Sequence, residues 1–248
     1  MRKVNVTLLA LVAVCLVVAP LAFGQGGNPP AATNQSGTNS DHRATAGSAL
    51  HDHLLNVNCV EVPLGEKRPE FGCFIIATAK DLQFTQPTVY WHLQTFPSRG
   101  AAEAAKSATG IVVVEDGRVW LSEFGQQDNA PQRGEGVVVI GPLDLPPAKT
   151  YDAVISYAVM RPGDRSLVHT HPGPEAWYML AGEQCLETQT GTTKKARTGE
   201  TMTVTPNVPM QLSIVGTTVR QWLVLIIHDS AQAAIIPSDW TPSGACDR

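Results

Sequence analysis

The stretch from Gly163 to Gly182 constrains the fold of this chain more than any other, because it sets His169, His171 and Glu175 around a single turn. Leu167-Val168 and the run from Trp177 to Leu180 have strand character. Alternate residues of a strand share a face, so His169 and His171 point the same way. Pro172-Gly173-Pro174 turns the chain and brings Glu175, at the head of the next strand, beside the two imidazoles. Two imidazoles and one carboxylate are the ligand set of a 2-His-1-carboxylate centre with open coordination positions. Trp177 and Met179 share the parity of Glu175 and are expected to line the same cavity.

The spacing is Gly, five residues, His-x-His, three residues, Glu, six residues, Gly, filled by Gly163, His169, His171, Glu175 and Gly182. It resembles the first motif of the cupin superfamily. The resemblance implies a small double-sheet jelly-roll barrel over about residues 135–230. It also implies a divalent first-row transition metal (Fe, Mn, Ni, Zn or Cu) held by His169, His171 and Glu175, and a small-molecule ligand or substrate. Short strands separated by Gly and Pro turns agree with such a barrel, notably Tyr151 to Met160, Gln184 to Thr188 and the apolar run from Val219 to His228.

The family's second motif, as it resembles this chain, begins at Gly199 and puts Thr205 at its Pro position, Asn207 at its Gly position and Met210 at its His position. Asn tolerates positive φ, so Asn207 is a reasonable substitute there. Met210 replaces an imidazole with a soft thioether and leaves the ion with fewer strong ligands. Met210 is expected to fill the cavity wall as packing. His228 ends the last apolar strand and is either a replacement ligand, a partner of the ligands or an ordinary residue at the barrel rim.

Met1-Arg2-Lys3 precedes an apolar run from Val4 to Phe23 that closes on Ala22-Phe23-Gly24. This reads as a signal peptide over residues 1–24, cleaved after Gly24, and predicts a secreted or periplasmic protein with no stable membrane span after cleavage. An uncleaved anchor is the alternative, since the run approaches the roughly 20 residues needed to span a bilayer. Four of the five cysteines follow the run: Cys59, Cys73, Cys185 and Cys246. An even number in an oxidising compartment suggests disulfides. Cys59–Cys73 is expected by proximity, and Cys185–Cys246 because it would pin the C-terminal tail. The net charge of −4 and the lack of a basic run give no electrostatic footprint for nucleic acid.

Residues 25–49 are Gly-, Asn-, Pro- and Ser-rich and read as a disordered linker. His51-Asp52-His53 repeats the His-x-His spacing, but no third ligand follows it. Residues 50–130 read as an α+β region of unknown role. Strands are expected at Phe71 to Ala77 and Thr88 to Phe96, then a helix from Arg99 to Ala108 capped by Ser98, then a hairpin at Asp116-Gly117. Residues 131–248 read as the barrel, beginning with Val137 to Ile140 and ending in an irregular tail from Asp229. The fold class is thus mainly β, a C-terminal jelly-roll barrel preceded by a small α+β region. Two functions fit this reading. One is a metal-dependent enzyme of dioxygenase, isomerase or decarboxylase type. The other is a non-catalytic ligand-binding barrel or scaffold, with a homo-oligomer open in either case.

Overall fold

A period of two in burial sorts the strands of this protein into three sheets. The computed structural model describes residues 59–62, 66–128, 133–191 and 193–247. The expected signal peptide, the expected linker and His51-Asp52-His53 lie outside the described residues. In chain order the elements are β1 (Cys59–Glu61), β2 (Gly72–Leu82), β3 (Thr88–Phe96), α1 (Arg99–Ala105), β4 (Ile111–Glu115), β5 (Arg118–Gly125), β6 (Glu135–Asp144) and β7 (Tyr151–Met160). They continue with β8 (His169–Thr170), β9 (Glu175–Ala181), β10 (Glu183–Thr188), β11 (Thr193–Arg197), β12 (Thr201–Val204), β13 (Met210–Val215), β14 (Arg220–Asp229) and β15 (Ile236–Pro237). A short 3-10 turn, Ala245–Asp247, follows.

The first sheet has the order β1-β2-β7-β14-β9-β12 and the second β11-β10-β13-β8-β15. These two face each other across an apolar interior and form the expected double-sheet barrel. The third sheet, β4-β5-β3-β6, packs with the outer face of the first. The first sheet is therefore buried on both sides. On β14, Trp222, Val224 and Ile226 point into the barrel, and Leu223, Leu225 and Ile227 point toward the third sheet. On β7, Ala158 and Met160 face inward, whereas Ile155 and Tyr157 face outward onto Trp91, Leu93 and Trp120. This double burial explains the unbroken apolar run in β14, where a half-exposed strand would alternate. Each of the fully buried outer residues, such as Leu223 and Leu225, contributes about 1.5–3 kcal/mol from burial.

Local chemistry sets the boundaries. Ser98 caps α1 by accepting from Ala101 N. The helix stops at Ala105, short of the expected Ala108. There the Glu123 carboxylate takes the Ser107 amide at 2.6 Å and the Ser107 hydroxyl as well, so neither group continues the helix. Asp116 and Gly117 both have positive φ, 52° and 67°, and make the tight two-residue hairpin between β4 and β5. Gly182 has φ +76°, and a Cβ there would lie 2.8 Å from the Arg220 Cα. Only glycine permits the close approach of β9 to the start of β14.

Two pairings cross the boundary near residue 130 that the sequence suggested. Val137 to Ile140, expected to open the barrel, belongs to β6, which pairs with β3 in the third sheet. Conversely, β2 pairs with β7 inside the first sheet of the barrel. All described residues fall within one compact unit, Thr45–Arg248.

The tail is more ordered than expected. Ile236 and Pro237 pair with Thr170 and His169, so β15 edges the strand that carries the histidines. The Glu187 carboxylate accepts the backbone amides of Ser243 and Ala245. Disulfides join Cys59 to Cys73 and Cys185 to Cys246, the pairing expected from the sequence. The second closes a sequence separation of 61 residues. Replacing Cys185 and Cys246 together by Ser is expected to cost about 2–4 kcal/mol of stability. Chemical denaturation of the wild type and the double variant measures this, and equal midpoints would show that the tail holds without its bond.

Candidate metal centre

His169 and His171 lie at the start of β8 and just beyond it, and Glu175 opens β9. The turn between them is tight. A Cβ on Gly173 would come within 1.7 Å of the Ile227 carbonyl oxygen, so the backbone here must pass directly over β14. All three side chains are buried, at 8%, 3% and 4% exposure. Their ligand atoms lie within 4.8 Å of one another, the one such group of His, Cys, Asp and Glu among the described residues.

Hydrogen bonds fix the tautomers. His169 Nδ1 lies 2.7 Å from the Leu167 carbonyl oxygen, and His171 Nδ1 contacts the Ala234 carbonyl oxygen. A carbonyl only accepts, so both Nδ1 atoms carry the proton and donate. Both Nε2 atoms are then lone-pair acceptors, yet they face each other at 3.1 Å. Glu175 Oε2 sits 3.0 Å from His171 Nε2, buried and with no donor to it among the described residues. Three acceptors thus converge with no donor among them. A cation satisfies this arrangement, either a proton shared by His171 and Glu175 or a metal ion, and the donor set of two imidazole nitrogens and one carboxylate oxygen fits a divalent first-row ion.

Burial pushes both imidazoles toward the neutral form. At His169 it prevails, reinforced by the nearby His171, and the pKa is lowered. At His171 burial is outweighed by the Glu175 carboxylate, helped by the Ala234 carbonyl, and the pKa is raised.

A cavity of about 40 Å³ adjoins the three side chains, lined also by Trp177, Trp222 and the Cys59–Cys73 disulfide, with Ser166 and an apolar wall that includes Met160 and Val224. It accommodates an ion and a few water-sized groups, since one water needs roughly 10–15 Å³ of such space. Trp177 lines this cavity as its parity required. Met179, expected beside it, does not: one pleat further along β9, it is fully buried in the barrel core. Met210 stands opposite His169 in the β13–β8 register and is fully buried, but it too packs in that core and is not part of the wall. The backbone reading of the second motif holds, with φ +84° at Gly199 and +60° at Asn207. His228 is not in the wall or the ligand group. It lies at the end of β14 opposite Asp152, where its Nδ1 donates to the Asp229 carbonyl at 2.9 Å.

Two contributors escaped the sequence reading. Ala234 orients His171 from the tail, and the only trace of this was the apolar Ile235-Ile236 pair ahead of Pro237. Cys73 reaches the cavity because β2 joins the barrel sheet, which no local pattern announces.

The two facing sheets make a double-sheet jelly-roll barrel, the architecture that the resemblance of the Gly163–Gly182 motif implied. Among solved structures the chain is similar to an uncharacterized conserved protein with a double-stranded β-helix domain from Klebsiella pneumoniae, at 17% identity and TM-score 0.32, covering 41% of this chain and 80% of that one. It is also similar to the DMSP lyase DddQ from Ruegeria pomeroyi, at 19% identity and TM-score 0.31, covering 35% of this chain and 43% of that one. A third is an oxalate decarboxylase from B. subtilis, at 14% identity and TM-score 0.31, covering 35% of this chain and 24% of that one. No family model and no curated protein matches the sequence.

The tautomers and the charge of Glu175 lead to a titration test. In protein stripped of metal by a chelator, His171 is expected to titrate above His169. Glu175→Gln removes the charge that favours the imidazolium and should lower the His171 pKa. NMR titration of the imidazole nitrogens reads this, and an unmoved His171 would mean that the carboxylate does not face it.

Proposed function

We propose that His169, His171 and Glu175 hold one divalent first-row transition ion and that this exported barrel uses it to act on a small molecule. The observation that carries the reading is the convergence of three buried acceptors, two of them with tautomers fixed by backbone carbonyls. When bound, the ion supplies Lewis acidity and open coordination positions. The protein's part is to direct the Nε2 atoms of both imidazoles inward through Leu167 and Ala234, to set the Glu175 carboxylate beside them, and to shield the site with an apolar wall. Dioxygenase, isomerase and decarboxylase chemistries all suit such a centre. Export rests on the basic start, apolar run and small-residue ending of residues 1–24, supported by the two disulfides. Among the described residues no helix is long and apolar enough to cross a membrane.

A second reading, a ligand-binding barrel without turnover, is favoured by one feature. Apart from the three candidate ligands, the cavity wall has, among the described residues, no titratable side chain to serve as a general base. Its one hydroxyl, Ser166, already donates to the Leu167 carbonyl and accepts from Leu212 N. Ion-dependent turnover of any member of a small-molecule panel decides between the readings.

Elemental analysis of the full chain from its native host is expected to give about one ion per protein, lost in His169→Ala/His171→Ala. Equal metal content in the two proteins would refute the assignment. Met210→His tests the neighbouring position. Because Met210 packs in the barrel core outside the cavity wall, the change should leave the Kd for Zn²⁺, Ni²⁺ or Co²⁺ unchanged and lower the Tm, a polar ring replacing apolar packing. Binding tightened by about tenfold, or ~1.4 kcal/mol, would show instead that the side chain reaches the ion.

A further inference from the structure

Arg220 is the anomaly of the barrel. It is 0% exposed, and its Nε, Nη1 and Nη2 have no hydrogen-bond partner among the described residues. It shares the inward face of β14 with Trp222, Val224 and Ile226, all three in the cavity wall. Its cross-strand neighbour Met160 lines the same cavity, and its guanidinium lies over the Trp222 ring. The indole N–H groups of Trp177 and Trp222 are likewise buried without an acceptor. These groups are all donors. The charge that Arg220 feels is that of Glu175, too weakly to offset burial, so its pKa falls well below the usual arginine range.

A buried guanidinium without a counter-charge is strongly destabilising. Glu175 does not supply that charge, because its free oxygen belongs to the ligand cluster. With a divalent ion in place, one carboxylate would face two cationic groups. Among the described residues no side chain supplies Arg220 with an anion, and planar oxygens suit a guanidinium and two indole N–H groups. The apolar lining, Met160, Leu212, Val224 and Ile226, suits a short carbon body between the charged ends.

We propose that the ligand of this site is a small carboxylic acid, its carboxylate received by Arg220 with the Trp177 and Trp222 indole N–H groups and its other end directed toward His169, His171 and Glu175. This names the substrate class of the proposed function and rests on that reading only for the ion. Arg220 is a ligand-binding residue here, stacked in place by Trp222. The small cavity restricts the acid to a few carbons.

The test uses the full chain, metal-loaded and chelated, in calorimetric titrations with acetate, oxalate, malonate and succinate. Acetamide, malonamide and inorganic phosphate are the controls. At least one carboxylate should bind, and more tightly than its amide and than phosphate. Arg220→Met should weaken that binding at least tenfold while keeping the wild-type metal content. It should also leave the ligand-free Tm equal or higher, because it removes an unpaired buried charge; a purely structural arginine would lower it. Should Arg220→Met fail to fold, Trp222→Phe decides, since it keeps the ring, removes the N–H and should weaken carboxylate binding several-fold. Equal binding of acids and amides, phosphate preferred to every carboxylate, or wild-type affinity in the deciding variant would overturn the proposal. A metal-loaded wild type that binds no carboxylate overturns this inference alone. Arg220-dependent carboxylate binding in a protein that never carries metal supports it and overturns the metal reading instead.

Discussion

The doubly buried sheet β1-β2-β7-β14-β9-β12 is the constraint on which the rest of the molecule depends. Its strands cannot shift register by one residue without exchanging the barrel lining for the face that receives the third sheet. On β14, Trp222, Val224 and Ile226 belong to the interior and its cavity, and Leu223, Leu225 and Ile227 belong to the contact with β3, β5 and β6. One strand thus serves two interfaces at alternate positions. Glu175 and Trp177 are aimed by the same sheet, because β9 is held between β14 and β12.

The candidate site follows from this scaffold and from two carbonyl oxygens. The sheet fixes where the imidazoles and the carboxylate lie. Leu167 and Ala234 fix which ring nitrogens are free. Without those acceptors each ring could invert its tautomer, and the two Nε2 atoms could relieve their contact by sharing a proton. With them, the interior holds three converging lone pairs and, among the described residues, buried donors without a partner on Arg220, Trp177 and Trp222.

Much of this was legible in the sequence because it is local. The turn Pro172-Gly173-Pro174 and the two-residue periodicity bring His169, His171 and Glu175 together. β3 runs from Thr88 to Phe96 as its β-branched and aromatic residues suggest. Asn207 takes the positive φ that its place in the second motif demands. What escaped is non-local. Alternation reveals that a strand is buried but not which strand it meets, so Val137 to Ile140 looked like the first strand of the barrel and instead completes the third sheet. Arg220 borders an apolar run that dominates its neighbourhood, and only the absence of a partner makes it conspicuous. Met179 and Met210 have the right parity for the cavity, but parity selects a face of the sheet and not a depth along it.

The Ala234 carbonyl also bears on how portable this motif is. His171 takes its tautomer from a residue 63 positions further on, beyond the last long strand of the barrel. A chain shortened after β14 would retain His169, His171 and Glu175 and both facing sheets except for β15. It would lose the acceptor that orders one imidazole, along with the edge strand beside the other. Grafting the Gly163–Gly182 segment into another barrel would transfer the ligands in the same incomplete way. The unit that recombines intact is the motif together with its tail and the Cys185–Cys246 bond that ties the tail to β10.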